Sequence, residues 1–111
     1  MVNILIFGAG EGGLKAIDLL DENKVEVLAF IDNDINKNGK KINGKIIISP
    51  KEITFFKYDY IVIASIYNDE IYNQLLEIGI EEEKIITIIQ DEKKVSRDLI
   101  KKTYYENHKK K

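Results

Sequence analysis

A chain of 111 residues has room for one domain with a buried core, and 44% hydrophobic with 32% charged residues excludes an intrinsically disordered chain. No apolar run approaches the roughly 20 residues needed to span a bilayer, no cationic segment precedes the short apolar start as in a signal peptide, and the lack of cysteine excludes disulfides, thiolate catalysis and cysteine metal sites, all as expected of a cytoplasmic protein. The net charge of −2 divides into eight Lys/Arg against four Asp/Glu in residues 91–111 and nine against fifteen elsewhere, and an acidic body with a basic tail predicts no nucleic-acid partner.

Val2 to Phe7 is a β-branched apolar run of the kind that forms a strand buried on both faces. Over 14–22 the period changes: Leu14, Ile17 and Leu20, with Gly13 and Ala16, predict an amphipathic helix that stops near Asn23. Val25–Ile31 is a second strand, which completes a βαβ unit. Residues 32–45 are polar and rich in turn signals, with Asn38-Gly39 and Asn43-Gly44 suited to positive φ. Ile46–Ile48 is a third short strand. Ser49-Pro50-Lys51-Glu52 then reads as a capping box that opens a short helix to about Phe56. Tyr60–Ala64 is a fourth strand, and Asn68 or Asp69 can cap a helix carrying Ile71, Leu75, Leu76 and Ile78, with Gly79 ending it and Ile80 making the terminal apolar contact. Ile85–Ile89 is a fifth strand. Apolar strands alternating with amphipathic helices predict an α/β fold: an open, mostly parallel five-stranded sheet in three layers, with helices on both faces. Residues 1–90 form the folded domain, and 91–111 read as a C-terminal amphipathic helix with a basic tail, packed on the sheet edge or serving as a docking surface.

Gly8, Gly10 and Gly13 satisfy G-x-G-x-x-G, with Gly12 an extra glycine. The pattern follows a strand, opens a helix and is succeeded by Asp32 at the end of the next strand, near the spacing of a ribose-binding acid. Gly8 permits a tight turn, Gly10 lets backbone approach a pyrophosphate, and Gly13 lets the helix pack on the sheet. With Ala9, Glu11 and the helix N-terminus these residues make a candidate phosphate loop. Glu11 suits it only by pointing outward or meeting a sugar hydroxyl. Asp32 would accept bonds from ribose hydroxyls and repel a 2′-phosphate, which favours NAD over NADP. Ser65, after the fourth strand, can meet a pyrophosphate or sugar or cap its own loop, and Tyr67 and Asn68 are next in line. The competing reading of the same glycines is a strand–helix turn that binds nothing.

No catalytic or metal residue emerges. His108 lies in the tail, and Tyr105 with Lys109 matches a Tyr-x-x-x-Lys dyad only in that segment, after the last predicted strand. No His/Asp/Glu cluster has metal-ligand spacing.

"FGAGEGG", then "AFIDNDINKNGKKINGKIIISPKEI", "YDYIVIAS" and "EIYNQLLEIGIEEEKI", resembles a bacterial Rossmann-like domain of surface-polysaccharide biosynthesis. It is similar to the N-terminal domain of sugar-nucleotide acetyltransferases, to that of membrane nucleotide-sugar 4,6-dehydratases, and to an accessory domain of sugar methyltransferases and glycosyltransferases. The resemblance spans roughly residues 2–90. It implies a nucleotide or nucleotide-sugar ligand, with Gly8, Gly10, Gly12 and Gly13 on the diphosphate and Asp32 near the nucleoside; in the dehydratases the domain is described as a CoA- or nucleotide-binding module. It also implies a partner enzyme domain, with no chemistry in this domain alone; a homodimer is the other partner to expect. The expected ligand is NAD or a UDP-sugar; the alternative is an empty accessory domain that tethers a glycan-biosynthesis enzyme.

Overall fold

The computed structural model describes residues 1–87. Strand β1 (Val2–Phe7) runs into helix α1 (Glu11–Leu19), which returns to β2 (Val25–Ile31). A two-residue strand β3 (Lys41–Ile42) then pairs antiparallel with β4 (Lys45–Ile48). A 3-10 helix (Pro50–Phe55) leads to β5 (Tyr60–Ile63), and α2 (Asn68–Glu77) with a second 3-10 turn (Glu82–Lys84) leads to β6 (Ile85–Thr87). The sheet order is β3-β4-β2-β1-β5-β6, parallel except at β3.

The mostly parallel α/β architecture is as the apolar strands predict, with six strands in place of five. The added strand arises because Asn43 and Gly44, at φ 52° and 75°, form a two-residue hairpin that folds Lys41–Ile42 back on β4. Two polar-flanked residues carry no periodic signal, so the pattern alone missed them.

Each sheet face has its own core. Ile4, Ile6 and Phe30 pack beneath Ala16 of α1 and Leu20 just beyond it. On the opposite face Leu5, Phe7, Ile61 and Ile63 pack against Ile53 of the 3-10 helix and Ile71 and Leu75 of α2. A register shift between Ile4 and Leu5, where β1 steps from Val27 to Ala29, keeps both alternations aligned across the pair.

Both helices depart from their predicted limits. Helix α1 begins at Glu11, three residues early, because Gly12 and Gly13 form its first turn; it ends at Leu19 with Leu20 extended, and Leu14 is exposed. Asp21, not Asn23, organises the turn beyond it, accepting the Asn23 N–H at 2.9 Å. In α2 neither Asn68 nor Asp69 caps: the N-cap is Tyr67, and Asn68 is the buried first helical residue. Only Ile71 and Leu75 of its expected stripe are buried, whereas Leu76 and Ile78 face solvent. Its end is as expected. Gly79, at φ 95°, donates to Leu76 C=O and Ile80 to Leu75 C=O, both at 3.0 Å, and Ile80 packs on the core. The last predicted strand runs to Thr87; its residues 88 and 89 and the C-terminal helix and tail lie outside the described residues.

The capping box is formed. Glu52 Oε1 accepts from the Ser49 N–H at 3.0 Å and from Ser49 Oγ at 3.1 Å. These bonds hold the Glu52 carboxyl below its ordinary value of 4.5. A depressed carboxyl contributes stability above its unfolded pKa and loses it as pH falls through the folded one. Glu52→Gln is therefore expected to lessen the stability lost below about pH 4.5, read from urea midpoints at stepped pH. In the same assay Leu75→Ala should cost about 2–5 kcal/mol at any pH, because Leu75 is fully buried.

Candidate functional site

The chain order reverses beside β1: β2 lies on one side of it and β5 on the other. At such a switch point the loops leaving the carboxyl ends of neighbouring strands diverge toward opposite faces and open a crevice. Here the loops after β1, β2 and β5, together with the start of α2, enclose a cleft of about 700 Å³. Of the sequence-predicted residues, Gly8, Ala9, Gly10, Glu11, Gly12, Asp32, Ser65 and Tyr67 all line it. Gly13 and Asn68 do not.

The glycines divide by what surrounds them. A Cβ on Gly12 would stand 2.3 Å from the Ala64 carbonyl oxygen, and one on Gly8, at φ 126°, would stand 2.5 Å from the same atom. One on Gly13 would overlap the Gly8 carbonyl oxygen and touch the Phe30 ring. These three are required for the loop to lie on the end of β5 and for α1 to pack on β1. Gly12, an extra glycine by motif, is as constrained as the others. Gly10 differs: the nearest atom to its Cβ position is Lys37 Nζ at 3.8 Å.

Gly10 is also the N-cap of α1, and no side chain caps the helix. The first intrahelical bond runs from Leu14 N–H to Gly10 C=O at 3.2 Å, so the N–H groups of residues 11–13 have no intrahelical acceptor. Glu11 points outward, its side chain 86% exposed and 3.8 Å from Lys15. Its charge therefore sits at the rim.

Asp32 is tied to the glycine loop. Its Oδ2 accepts the Ala9 N–H at 2.9 Å, and its Oδ1 accepts the Asp34 N–H at 2.8 Å. Asp34 in turn accepts from the Asn36 N–H at 3.0 Å. These successive Asx turns curl the segment back over the cleft. Lys37 is thereby returned to the glycine loop, its Nζ 3.3 Å from Ala9 O and 3.8 Å from Asp32 Oδ2. Each carboxylate oxygen of Asp32 keeps a lone pair for a further donor. Ser65 Oγ accepts the Tyr67 N–H at 3.1 Å, so it caps its own loop while its hydroxyl hydrogen remains free to donate.

Lys37, Asn33 and Gln74 line the cleft and escaped the motif-based reading. The Asp-x-Asp-x-Asn alternation over 32–36 is the signal that could have placed Lys37. Asn33 and Gln74 meet only through the fold. Among the described residues no helix is long and apolar enough to cross a membrane, and no group of three or more His, Cys, Asp or Glu could hold a metal ion.

Residues 1–86 match the family described as C2185-like, N-terminal, and the chain belongs to that family. No curated protein matches it. Among solved structures it is similar to UDP-D-quinovosamine 4-dehydrogenase from Vibrio fischeri, at 25% identity and a TM-score of 0.60, with 81% of each chain covered. It is similar in fold to RSP in complex with β-NADH (21% identity, TM-score 0.60), covering 90% of this chain and 52% of that one. It is likewise similar to a myo-inositol dehydrogenase from Corynebacterium glutamicum (21% identity, TM-score 0.53), covering 78% of this chain and 27% of that one. The fold is Rossmann-like, and the chain spans about half of the RSP chain and about a quarter of the inositol dehydrogenase.

The division among the glycines has a measurable consequence. Gly12→Ala drives a methyl group into a backbone carbonyl and should destabilise by about 2 kcal/mol or more. Gly10→Ala, whose methyl group would meet only Lys37 Nζ at ordinary contact distance, should cost no more than about 1 kcal/mol, the loss of a glycine N-cap. Urea unfolding of the two variants checks this, and equal losses would refute the division.

Proposed function

From this C2185-like N-terminal domain, we propose a nucleotide-binding module that holds NAD(H) or a UDP-sugar in the cleft and leaves the chemistry to another domain or partner chain, in nucleotide-sugar and polysaccharide biosynthesis. The observation that carries the reading is Gly10. It is the one glycine of the motif that packing does not require, and its open side faces the cleft at the uncapped start of α1, where unpaired N–H groups and the helix dipole favour phosphate. Asp32, bonded to the same loop, carries acceptors for ribose hydroxyls, and the Ser65 hydroxyl can donate to the diphosphate or sugar. Lys37 stands beside Asp32 and partly neutralises it, so the preference for NAD over NADP is weaker than the acid alone implies. The similar structures support both ligands: one is a dehydrogenase named for a UDP-sugar, and another was solved with β-NADH.

A second reading has its own support. Packing accounts for three of the four glycines, and Asp32, Lys37, Asn33 and Gln74 are already bonded within the protein. A domain that binds nothing and tethers an enzyme would show the same features.

Thermal-shift and calorimetric titration with NAD⁺, NADH, NADP⁺, a UDP-sugar and coenzyme A separates the two. A ligand at 100 times its Kd should stabilise the domain by about 2.7 kcal/mol. No shift with any of them would favour the tether. Gly10→Val should abolish binding while the fold persists. That makes it a sharper probe than Asp32→Ala, which also releases the glycine loop.

A further inference from the structure

The charges of the chain are sorted along its sequence, and the fold carries the two signs to opposite edges of the sheet. Residues 35–51 hold five lysines and no Asp or Glu, whereas residues 58–83 hold seven Asp or Glu and no Lys or Arg. The strand order puts the first run at one edge, on β3 and β4, and the second at the other, around β5, α2 and β6. Five interstrand steps of about 4.8 Å separate these edges by roughly 24 Å, more than twice the screening length of about 10 Å at 0.1 M salt. Within one molecule, therefore, the two runs do not neutralise each other.

At the basic edge Lys41 stands opposite Ile46, and Ile42 opposite Lys45. Cross-strand partners share a face, so each face of the hairpin sets a lysine beside an isoleucine. Lys40, Lys41 and Ile46 are exposed. At the acidic edge Leu76 and Glu77 end α2 and Ile78 caps it, all three in solvent. Glu81, Glu82 and Glu83, also exposed, follow the Gly79–Ile80 turn directly. The next residue, Lys84, is drawn over the Tyr58 ring at 5.4 Å. Among the described residues the ion pairs are Glu11–Lys15 and Asp32–Lys37, and neither Lys40, Lys41 and Lys45 nor these glutamates join them.

Lysines on a short edge strand can serve only to keep other strands away. Here each charged run also lies beside exposed aliphatic side chains, and its opposite stands on the same molecule. The two edges are thus complementary in sign and alike in apolar character. We propose that they form a self-association surface, in which the β3–β4 hairpin of one copy seats on the acidic end of α2 and the following turn of the next. Such a contact joins two different patches, so copies assemble head to tail rather than about a two-fold axis. Burial of Ile46 against Leu76 and Ile78 supplies attraction, and the lysine–glutamate pairs set orientation and register. None of these residues lines the cleft, so the association stands apart from the nucleotide reading.

The test is sedimentation velocity of the full chain over rising concentration in about 0.02 M and about 0.5 M NaCl. Wild type should associate at low salt and dissociate at high salt. The double variants Lys40→Glu/Lys41→Glu and Glu81→Lys/Glu83→Lys should each weaken association about tenfold or more, because each brings both edges toward one sign. An equimolar mixture of the two should recover it, since one variant keeps the acidic edge and the other the basic edge. A wild type that stays monomeric at low salt, a variant that associates as wild type does, or a mixture that stays monomeric would each overturn the proposal. The rival occupant of the acidic edge is the chain's own segment 91–111, with eight Lys/Arg against four Asp/Glu. Carbodiimide coupling, which joins a lysine to a carboxylate in contact with it, tells them apart. Links from Glu81 or Glu83 to Lys40 or Lys41 between two copies are expected; links to lysines of 91–111 within one chain would sink the head-to-tail contact.

Discussion

The architecture of the cleft depends on how closely the loop after β1 approaches the carbonyl of Ala64. Side chains at positions 8 and 12 would each stand within 2.5 Å of that oxygen. With hydrogen there instead, the loop rests on the end of β5, and α1 starts directly above the sheet. The third packing glycine, Gly13, lets that helix lie against Gly8 and Phe30. From this contact follow the position of the helix N-terminus, the nearness of the β1 and β5 loops, and the crevice between them. A motif often taken as a mark of phosphate binding is here chiefly a packing device, and only Gly10 is left to argue for a ligand.

The polar groups of the cleft are held by one another. Asp32 braces the glycine loop through Ala9 and pairs with Lys37, Glu11 pairs with Lys15 at the rim, and Asn33 is bonded to Gln74. A ligand that displaces any of these contacts gains only the difference between two sets of hydrogen bonds. The lining of the cleft is polar at the glycine loop and partly apolar along Ile66, Tyr67 and Ile71.

Legibility differed from element to element for physical reasons. The four longer strands were visible because strands buried on both faces must be apolar at nearly every position. Gly79 and Ile80 announced the end of α2, since few residues other than glycine tolerate its φ of 95°. The start of α1 was misplaced because glycine is a poor helix former, and only the nearby Ala64 carbonyl makes it the fitting residue there. Leu76 and Ile78 looked like core by spacing, but the sheet beneath α2 reaches only as far round the helix as Ile71 and Leu75.

By itself the sequence determined the α/β class, the parallel core, the turns, the capping box and a candidate loop with its acid, because these depend on local pattern, backbone geometry and hydrophobic burial. Tertiary structure alone decided which glycines packing requires, that Asp32 grips the loop it was expected to complement, that Lys37 returns over Gly10, and that Asn33 meets Gln74. Those facts are distances between segments up to 41 residues apart. No local preference encodes them, since they exist only once the sheet has brought its strand ends together.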